Sequence, residues 1–516
     1  MRNREKLYQK MEHEYGKRLR AKMAGHSEKA LTIDDIEQIA VDLGKEMNEL
    51  VAQELTQDEA ESREAEPGKQ KHPCRCCNRW VRFRGHGDRT ILTRAGVVRV
   101  RGRREYYCAH CDTDTVPVDE WMRLPAHGYT AHVERLVAEA VADQPPAQAS
   151  KRLERMAGLY VSPKEMQRIG YAAGEHVRAE EKESTDRVFA ARAKDDLDSI
   201  VEQRHDPGIT LYLGGDGIHT PTRMVVKKKG SKAPRVYKES KVACVYVVNK
   251  LGRQLEKHYI YHMGVPGEFG RKLYALVVSL GLAETARVIA LGDGAPWIWR
   301  QIRNYFPHAV QVLDWYHATE HLYATAAVCY GEVDREEQAA AIRAQQKAAG
   351  ESEHDEIEQH VSGPEFGPGA AKHAGAAKND GKCTKLMTAT RAWVKRMEAL
   401  LLDGKLEGLI EAVKALPKPS NLARNSVRRL VNYLTKNKDR MKYNEYIERG
   451  HWIGSGFIES ACKQVVGARL KGPGMCWSVA GAKAMGALRA LILSGDRWDT
   501  VIGTWRGRPR GPVPTF

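Results

Sequence analysis

The chain has no long hydrophobic run. Its most apolar stretch, "LYALVVSLGLA" from Leu273 to Ala283, falls well short of the roughly 20 residues that a membrane-spanning helix needs, so no membrane partner is expected. No secretory signal is visible either, because "MRNREKLYQKMEHEYGKRLR" is charged throughout. Cysteine is scarce: ten in 516 residues are too few for a disulfide scaffold, and five of them crowd between Cys74 and Cys111. These shortages point to a soluble chain of a reducing, intracellular compartment whose clustered thiols bind metal.

Acidic residues are also in short supply. There are 66 Asp and Glu against 82 Lys and Arg, a net charge of +16, and from Lys71 to Arg104 eleven basic residues face one acid, Asp88. With 42% hydrophobic residues the composition is globular, and the length suits about three or four domains. Such charge favours a polyanionic partner, although basicity alone does not distinguish a nucleic-acid binder from an ordinary basic protein.

The N-terminal region reads as helical. Thr32 and Asp35 have capping-box spacing, and apolar residues recur at helical intervals from Ile36 to Val51. The acidic "QDEAESREAEPGKQ" that follows is expected to be a solvated linker ending near Pro67 and Gly68. Further on, Ala147 to Leu153, then Gly158, then "VSPKEMQRIG" with Ser162 as N-cap and Pro163 at the first position, give the outline of a helix-turn-helix; an ordinary helical hairpin has the same spacing. From about Ile209 to Asp314 the periodicity changes to β-β-β-α-β-α-β, which predicts a mixed α/β sheet. No strand signal returns before Gly454, so the polar region after Asp314 reads as a helical insertion, broken by "GPEFGPGAAKHAGAAKNDGKC" and "LPKPS".

Cys74-x2-Cys77 and Cys108-x2-Cys111, thirty residues apart, have the form of a zinc ribbon. Each CxxC turn sets two thiolates on one side, and a hairpin over "TILTRAGVVRVRGRREYY" would close a tetrahedral four-sulfur site around one structural Zn²⁺. Cys76 leaves the choice within the first pair open, and a redox CxxC is the alternative use. Arg82, Arg84, Arg99, Arg101 and Arg103 flank this knob and suit phosphate contacts.

Asp216 and Asp293 each end a predicted strand and precede a glycine. Asp-Gly is commonly just a turn. Two acids at the carboxyl ends of strands, however, stand where open α/β sheets build sites, and paired carboxylates suit two Mg²⁺ or Mn²⁺ ions for in-line phosphoryl displacement. A third carboxylate is commonly needed to complete such a site. Glu459, in "HWIGSGFIES", is the candidate: on a helix from about Gly456 it borders a buried face of Ile458, Ala461, Val465 and Ala468. The alternative is a plain surface pair with Lys463 at i+4. Asp314 and His317, in "DWYHATEH", and Lys463 are secondary active-site candidates, with Asp314 the rival to Asp293; the histidine segment lacks the glutamate of a HExxH site, and a structural histidine is equally consistent with it.

"LGDGAPWIW", "VLDWYHATEHL", "GSGFIESACKQVVGARLKGPGMCWSVAGAKAMGALRA" and the cysteine pairs together resemble the DDE transposases of bacterial insertion sequences of the ISKra type, distantly Mutator-like, over nearly the whole chain. The resemblance implies a ribonuclease-H-like catalytic core interrupted by a large helical insertion, with metal ligands at Asp216, Asp293 and Glu459 and with Arg469, Lys471 and Trp477 near DNA. For Trp477, core packing is the competing role. The basic stretch "NLARNSVRRLVNYLTKNKDRMKY" suits a further DNA track.

The expected division is an N-terminal helical region (1–66), zinc ribbon (67–118), helix-turn-helix region (119–185), first part of the core (186–325), insertion (326–448), C-terminal core helices (449–500) and tail (501–516). The expected activity is cleavage of insertion-sequence ends and strand transfer on double-stranded DNA by a homo-oligomer, at least a dimer, in the bacterial cytoplasm at the nucleoid. The rival is a zinc-containing, sequence-specific DNA-binding regulator without catalysis.

Overall fold

In the computed structural model, residues 4–24, 30–64, 72–125, 127–200, 208–223, 235–281, 287–332, 389–495 and 497–505 are described. The chain divides into two compact units. One comprises Met1–Glu181, Pro221–Val236 and Gly467–Phe516, and the other Lys182–Thr220 and Tyr237–Val466.

The first unit begins with two helices, α1 (Arg4–Ala24) and α2 (Ile33–Glu64). The capping box forms as spaced: Thr32 N–H donates to Asp35 Oδ2 at 2.9 Å and Asp35 N–H to Thr32 Oγ1 at 3.2 Å. The acidic segment expected as linker is helical as far as Glu64, a correction with a clear cause. Glu49, Gln53 and Gln57, one turn apart on α2, hydrogen-bond the open edge of a strand. Arg99 N–H donates to Gln53 Oε1 at 2.8 Å and Arg101 N–H to Gln57 Oε1 at 2.9 Å, while the amide nitrogens of the two glutamines donate back to the carbonyls of Arg99 and Arg101. Val97 N–H donates to Glu49 in the same row. The helix thus satisfies backbone groups that a neighbouring strand would otherwise claim.

That strand belongs to a three-stranded sheet, β1 (Arg82–Thr93), β2 (Gly96–Cys108) and β3 (Thr113–Thr115), with antiparallel pairing throughout. Ala60 of α2 joins Ile91, Val100 and Val118 in its small core. Helices α4 (Ala131–Asp143), α5 (Pro146–Ala157) and α6 (Pro163–Arg192) follow α3 (Pro117–Trp121). Between α5 and α6, Gly158 takes a left-handed φ of 65°, and Ser162 Oγ accepts from Glu165 N–H at the start of α6.

The described residues from 467 to 500, expected among the core's C-terminal helices, fall instead in this first unit. A β-carbon on Gly174 would meet the carbonyl oxygen of Ala484 at 2.2 Å, so α6 and the helix Val479–Ile492 touch backbone to backbone.

The second unit holds a five-stranded sheet in the order β6-β5-β4-β7-β8, where β4 is Thr210–Arg223, β5 Arg235–Val248, β6 Gln254–His262, β7 Arg287–Gly292 and β8 Val310–Leu313. β5 and β6 are antiparallel; β4, β7 and β8 run parallel. The sheet is therefore mixed, as the periodicity predicts. α7 (Pro266–Ser279) and α8 (Pro296–Tyr305) make the crossovers. α9 (Trp315–Tyr330) leaves β8, and helices Ala389–Leu402 and Asn421–Asn437 pack against it. Among the described residues from 315 to 453 there is no strand. The low-complexity piece 363–383 lies outside the described residues.

Candidate active site and metal centre

Two sites emerge, one in each unit. In the first, the sulfurs of Cys74, Cys77, Cys108 and Cys111 all lie within 4.8 Å of one another. Tetrahedral zinc with Zn–S bonds of about 2.3 Å separates its sulfurs by about 3.8 Å, and Cys77 and Cys108 stand 3.7 Å apart. The four residues can therefore hold a zinc ion. Each knuckle turns through a left-handed residue, Asn78 in one and Asp112 in the other. Backbone N–H groups of Cys77 and Cys76 hold the Cys74 thiol well below its usual range, which favours the thiolate that a metal requires. Cys76 is exposed and outside the cluster, which settles the choice left open in the first pair.

In the second unit the parallel register decides the geometry. Gly214 of β4 pairs with Leu291 of β7, and Gly292 of β7 with Leu313 of β8. Continued two residues past Gly214 and one past Gly292, that register puts Asp216, Asp293 and Asp314 in one row; Asp293 and Asp314 directly follow β7 and β8, but β4 runs on to Arg223, so Asp216 lies within its strand and does not end it as expected. Their charges interact as such a row requires: burial first and the neighbouring Asp293 second push Asp216 up to about 6. His317, on the first turn of α9, faces the same row. Its pKa is raised to about 9, chiefly by Glu320, whose carboxylate is 3.5 Å away, with Asp314, Asp293 and Asp216 adding to the effect against burial. His321 packs against Tyr433 with centroids 4.4 Å apart and the rings tilted by 50°, and burial lowers its pKa.

The three aspartates are not equivalent. Asp314 is buried and caps α9, accepting from Tyr316 and His317 N–H and, at 2.7 Å, from Ser455 N–H. Its oxygens are occupied by backbone donors, so it organises the site and is a poor rival to Asp293 as a ligand. Asp293 Oδ1 accepts only a local bond from Ala295 N–H, while its carbonyl receives the Tyr433 hydroxyl at 2.9 Å. Asp216 accepts from Gly217 N–H at 2.6 Å and from the Cys462 thiol at 3.8 Å.

Glu459 is the exception among the expected ligands. Its carboxylate pairs with Lys463 at 2.5 Å, both side chains well exposed, and it does not join the aspartates. Among the described residues, no group of three His, Cys, Asp or Glu side chains other than the four cysteines comes so close together. The surface-pair alternative therefore describes its side chain as it stands. Its backbone is nevertheless held at the site. Trp452 stacks on Tyr212 at 4.1 Å, Trp315 N–H donates to the Ile453 carbonyl, and Ser455 N–H donates to Asp314. A β-carbon on Gly214 would meet Ile458 Cδ1 at 2.0 Å, so the helix Gly456–Cys462 lies directly on β4. Glu459 stands one turn before Cys462, the residue touching Asp216.

Three expected DNA contacts are corrected. Arg103 is buried, with its guanidinium on Asp119 at 2.9 Å. Arg469 is 1% exposed, donates from Nε to the Val141 carbonyl at 2.7 Å, and lies 4.9 Å over the ring of Trp477. Trp477 is itself buried, its Nε1 donating to the Leu470 carbonyl. For Arg469 the local cause is a π-helical turn at Lys463–Gly467, which adds a residue to the repeat just before it. The buried face therefore passes to Arg469 and Leu470 and leaves Ala468 exposed. Arg82, Arg84, Arg99, Arg101 and Lys471 remain exposed. Arg84 and Arg99 are paired with Asp114 and Asp88. Tyr433 and Cys462, which touch the aspartates, carried no local signal in the sequence.

The chain matches no protein-family model and no curated protein.

Two outcomes follow. The purified chain should carry one zinc per protomer by elemental analysis; replacing Cys74, Cys77, Cys108 or Cys111 by Ser should lose it, and Cys76→Ser should keep it. For Asp216 the sign is as follows. A carboxyl raised from about 3.9 in the unfolded chain to about 6 contributes stability that is complete below the lower value and lost as pH rises through the upper one. Asp216→Asn should therefore stabilise the protein, without added divalent cation, by on the order of 1–3 kcal/mol at pH 7 and leave it unchanged at pH 4 in urea titrations. An unchanged stability at pH 7 would mean that this carboxylate is not under strain.

Proposed function

We propose that the chain is a DNA transposase of the DDE type, which binds the ends of its element, cleaves them with water as nucleophile and joins the freed 3′ hydroxyl to target DNA. The observation that carries the reading is the placement of Asp216, within β4 just past its paired segment with β7, beside Asp293 at the carboxyl end of β7. We read the 3-2-1-4-5 strand order, here β6-β5-β4-β7-β8, as a ribonuclease-H-like core and the helices of 389–448 as an insertion within it.

Two neighbouring carboxylates, one raised first by burial and then by the other's charge, form a donor set that a hard divalent cation would relieve, and on that ground Asp216 and Asp293 fit Mg²⁺ or Mn²⁺. Bound there, the metal supplies Lewis acidity and orients the attacking and leaving oxygens. Glu459 does not fit as it stands; it becomes a ligand only by leaving Lys463, which then offers its ammonium to a phosphate. His317, cationic at neutral pH, offsets the charge of the row. The helix that delivers Tyr433 to Asp293 also carries exposed Arg424, Arg428 and Lys436, which suit the backbone of DNA approaching the aspartates. No covalent protein–DNA intermediate is required, and pairing two ends calls for at least a dimer. The zinc ribbon and the α5–α6 helix-turn-helix would read the terminal repeats.

One observation favours the rival, a zinc-containing DNA-binding regulator: the exposed Glu459–Lys463 pair is what a non-catalytic helix would carry. Cleavage of a labelled element end in Mg²⁺ separates the two readings. Asp216→Asn and Asp293→Asn should each reduce cutting by at least about 10³-fold, and Glu459→Gln by a comparable factor, with DNA binding retained. Equal cutting by wild type and variants, or binding without cutting in all of them, would contradict the enzymatic reading.

A further inference from the structure

Outside the acidic row, one surface combines an exposed tryptophan ring with positive charge. The chain enters β1 from the zinc knuckle through a short antiparallel ladder, with Cys74 N–H donating to the Arg79 carbonyl and Val81 N–H to that of His72, and with Pro73 bridged to Trp80. Trp80 and Arg82 are alternate residues of this extended run, so they share a face; Arg84 stands at a register shift between Phe83 and Gly85 and joins that face through its contacts with Tyr107 and Asp114. Arg82 pairs across the sheet with Tyr107, Tyr107 with Asp114, and the Arg84 guanidinium lies 5.8 Å over the Tyr107 ring and 2.8 Å from Asp114. Phe83 belongs to the other face, beside Tyr106 and His86. The Trp80 indole is 68% exposed on backbone that the cysteine cluster anchors, an unusual setting for the largest apolar side chain.

We propose that this face binds the unpaired bases of single-stranded DNA: Trp80 stacks on a base, Arg82 holds the adjoining phosphate, and Arg84 over Tyr107 continues the platform. The charge argues for a polyanion, since Asp88 is the one acid among eleven basic residues from Lys71 to Arg104. The ring argues for a single strand, because a base in a duplex hides its face against its neighbours, whereas an unpaired base offers it to an aromatic side chain. Neither step needs the acidic row, and binding is measured without Mg²⁺, so failure here is distinguishable from failure of the cleavage reading.

The test is fluorescence anisotropy of the zinc-loaded full chain with a labelled dT 20-mer, a random-sequence duplex of the same length and an rU 20-mer. Trp80→Ala should weaken binding of the dT strand by about 5- to 100-fold and that of the duplex by less than about 2-fold. Trp80→Phe should stay close to wild type, as should Phe83→Ala. Arg82→Ala should lower the dependence of log K on log salt for the dT strand by about 0.7. A 5-bromodeoxyuridine strand irradiated on the wild-type protein should form its adduct at Trp80, a readout that does not depend on any variant folding. Equal dT affinity in Trp80→Ala, equal losses on single strand and duplex, tighter binding of the rU strand, or adducts that miss Trp80 would each overturn the proposal. So would a Trp80→Ala protein changed only in sedimentation, which would make the face a contact between protein chains.

Discussion

The parallel pairing of β4 with β7 is the constraint on which the second unit depends. It brings two like charges side by side, Asp216 within β4 and Asp293 just past the end of β7, two residues beyond the last paired residues of the two strands. Neighbouring groups are arranged around that cost. Asp314 continues the row but uses its oxygens on backbone N–H groups, His317 supplies compensating positive charge, and Tyr433 fixes the carbonyl of Asp293 from another helix. A neutral side chain at one of these positions would remove that repulsion, and the proposed metal site is the reason offered for keeping two acids there.

The first unit answers a different constraint. A three-stranded sheet with a handful of buried apolar residues is too small to be firmly stable alone. It is secured at one end by four thiols able to hold zinc and along its open edge by the side chains of Glu49, Gln53 and Gln57. The same edge cover prevents pairing with a second strand. With its backbone fixed this way, the sheet can carry Trp80 and several arginines in solvent.

How far the sequence could be read follows the range of the interactions involved. The capping box at Thr32 and Asp35, the start of α6 at Pro163, the cysteine pairs and the order of strands and helices are local signals, and all were legible. Asp216, expected to end its strand, lies within β4, which continues to Arg223, whereas Asp293 and Asp314 were legible because each directly follows its own strand. What distant partners decide was not. Asp119 turns Arg103 inward, the Val141 carbonyl takes Arg469, and a strand edge 46 residues from Gln53 extends α2 through residues that look like linker. The π turn at Lys463–Gly467 has the same character: one added residue rotates everything after it, and nothing in "KQVVG" announces it. The side chain of Glu459 rests on Lys463 because, without a cation, the nearest positive charge is its own neighbour at i+4.

The central claim is that Asp216 and Asp293 form a divalent-metal site that Glu459 completes when DNA is present. A crystal structure of the full chain with Mn²⁺ and an uncut element end, with the metal located by anomalous scattering, tests it most directly. The account predicts manganese bound by both aspartates, with the Glu459 carboxylate turned to it and Lys463 released toward the phosphates. DNA bound with no manganese at Asp216 and Asp293, or with the aspartates loaded and Glu459 still paired to Lys463, would contradict it.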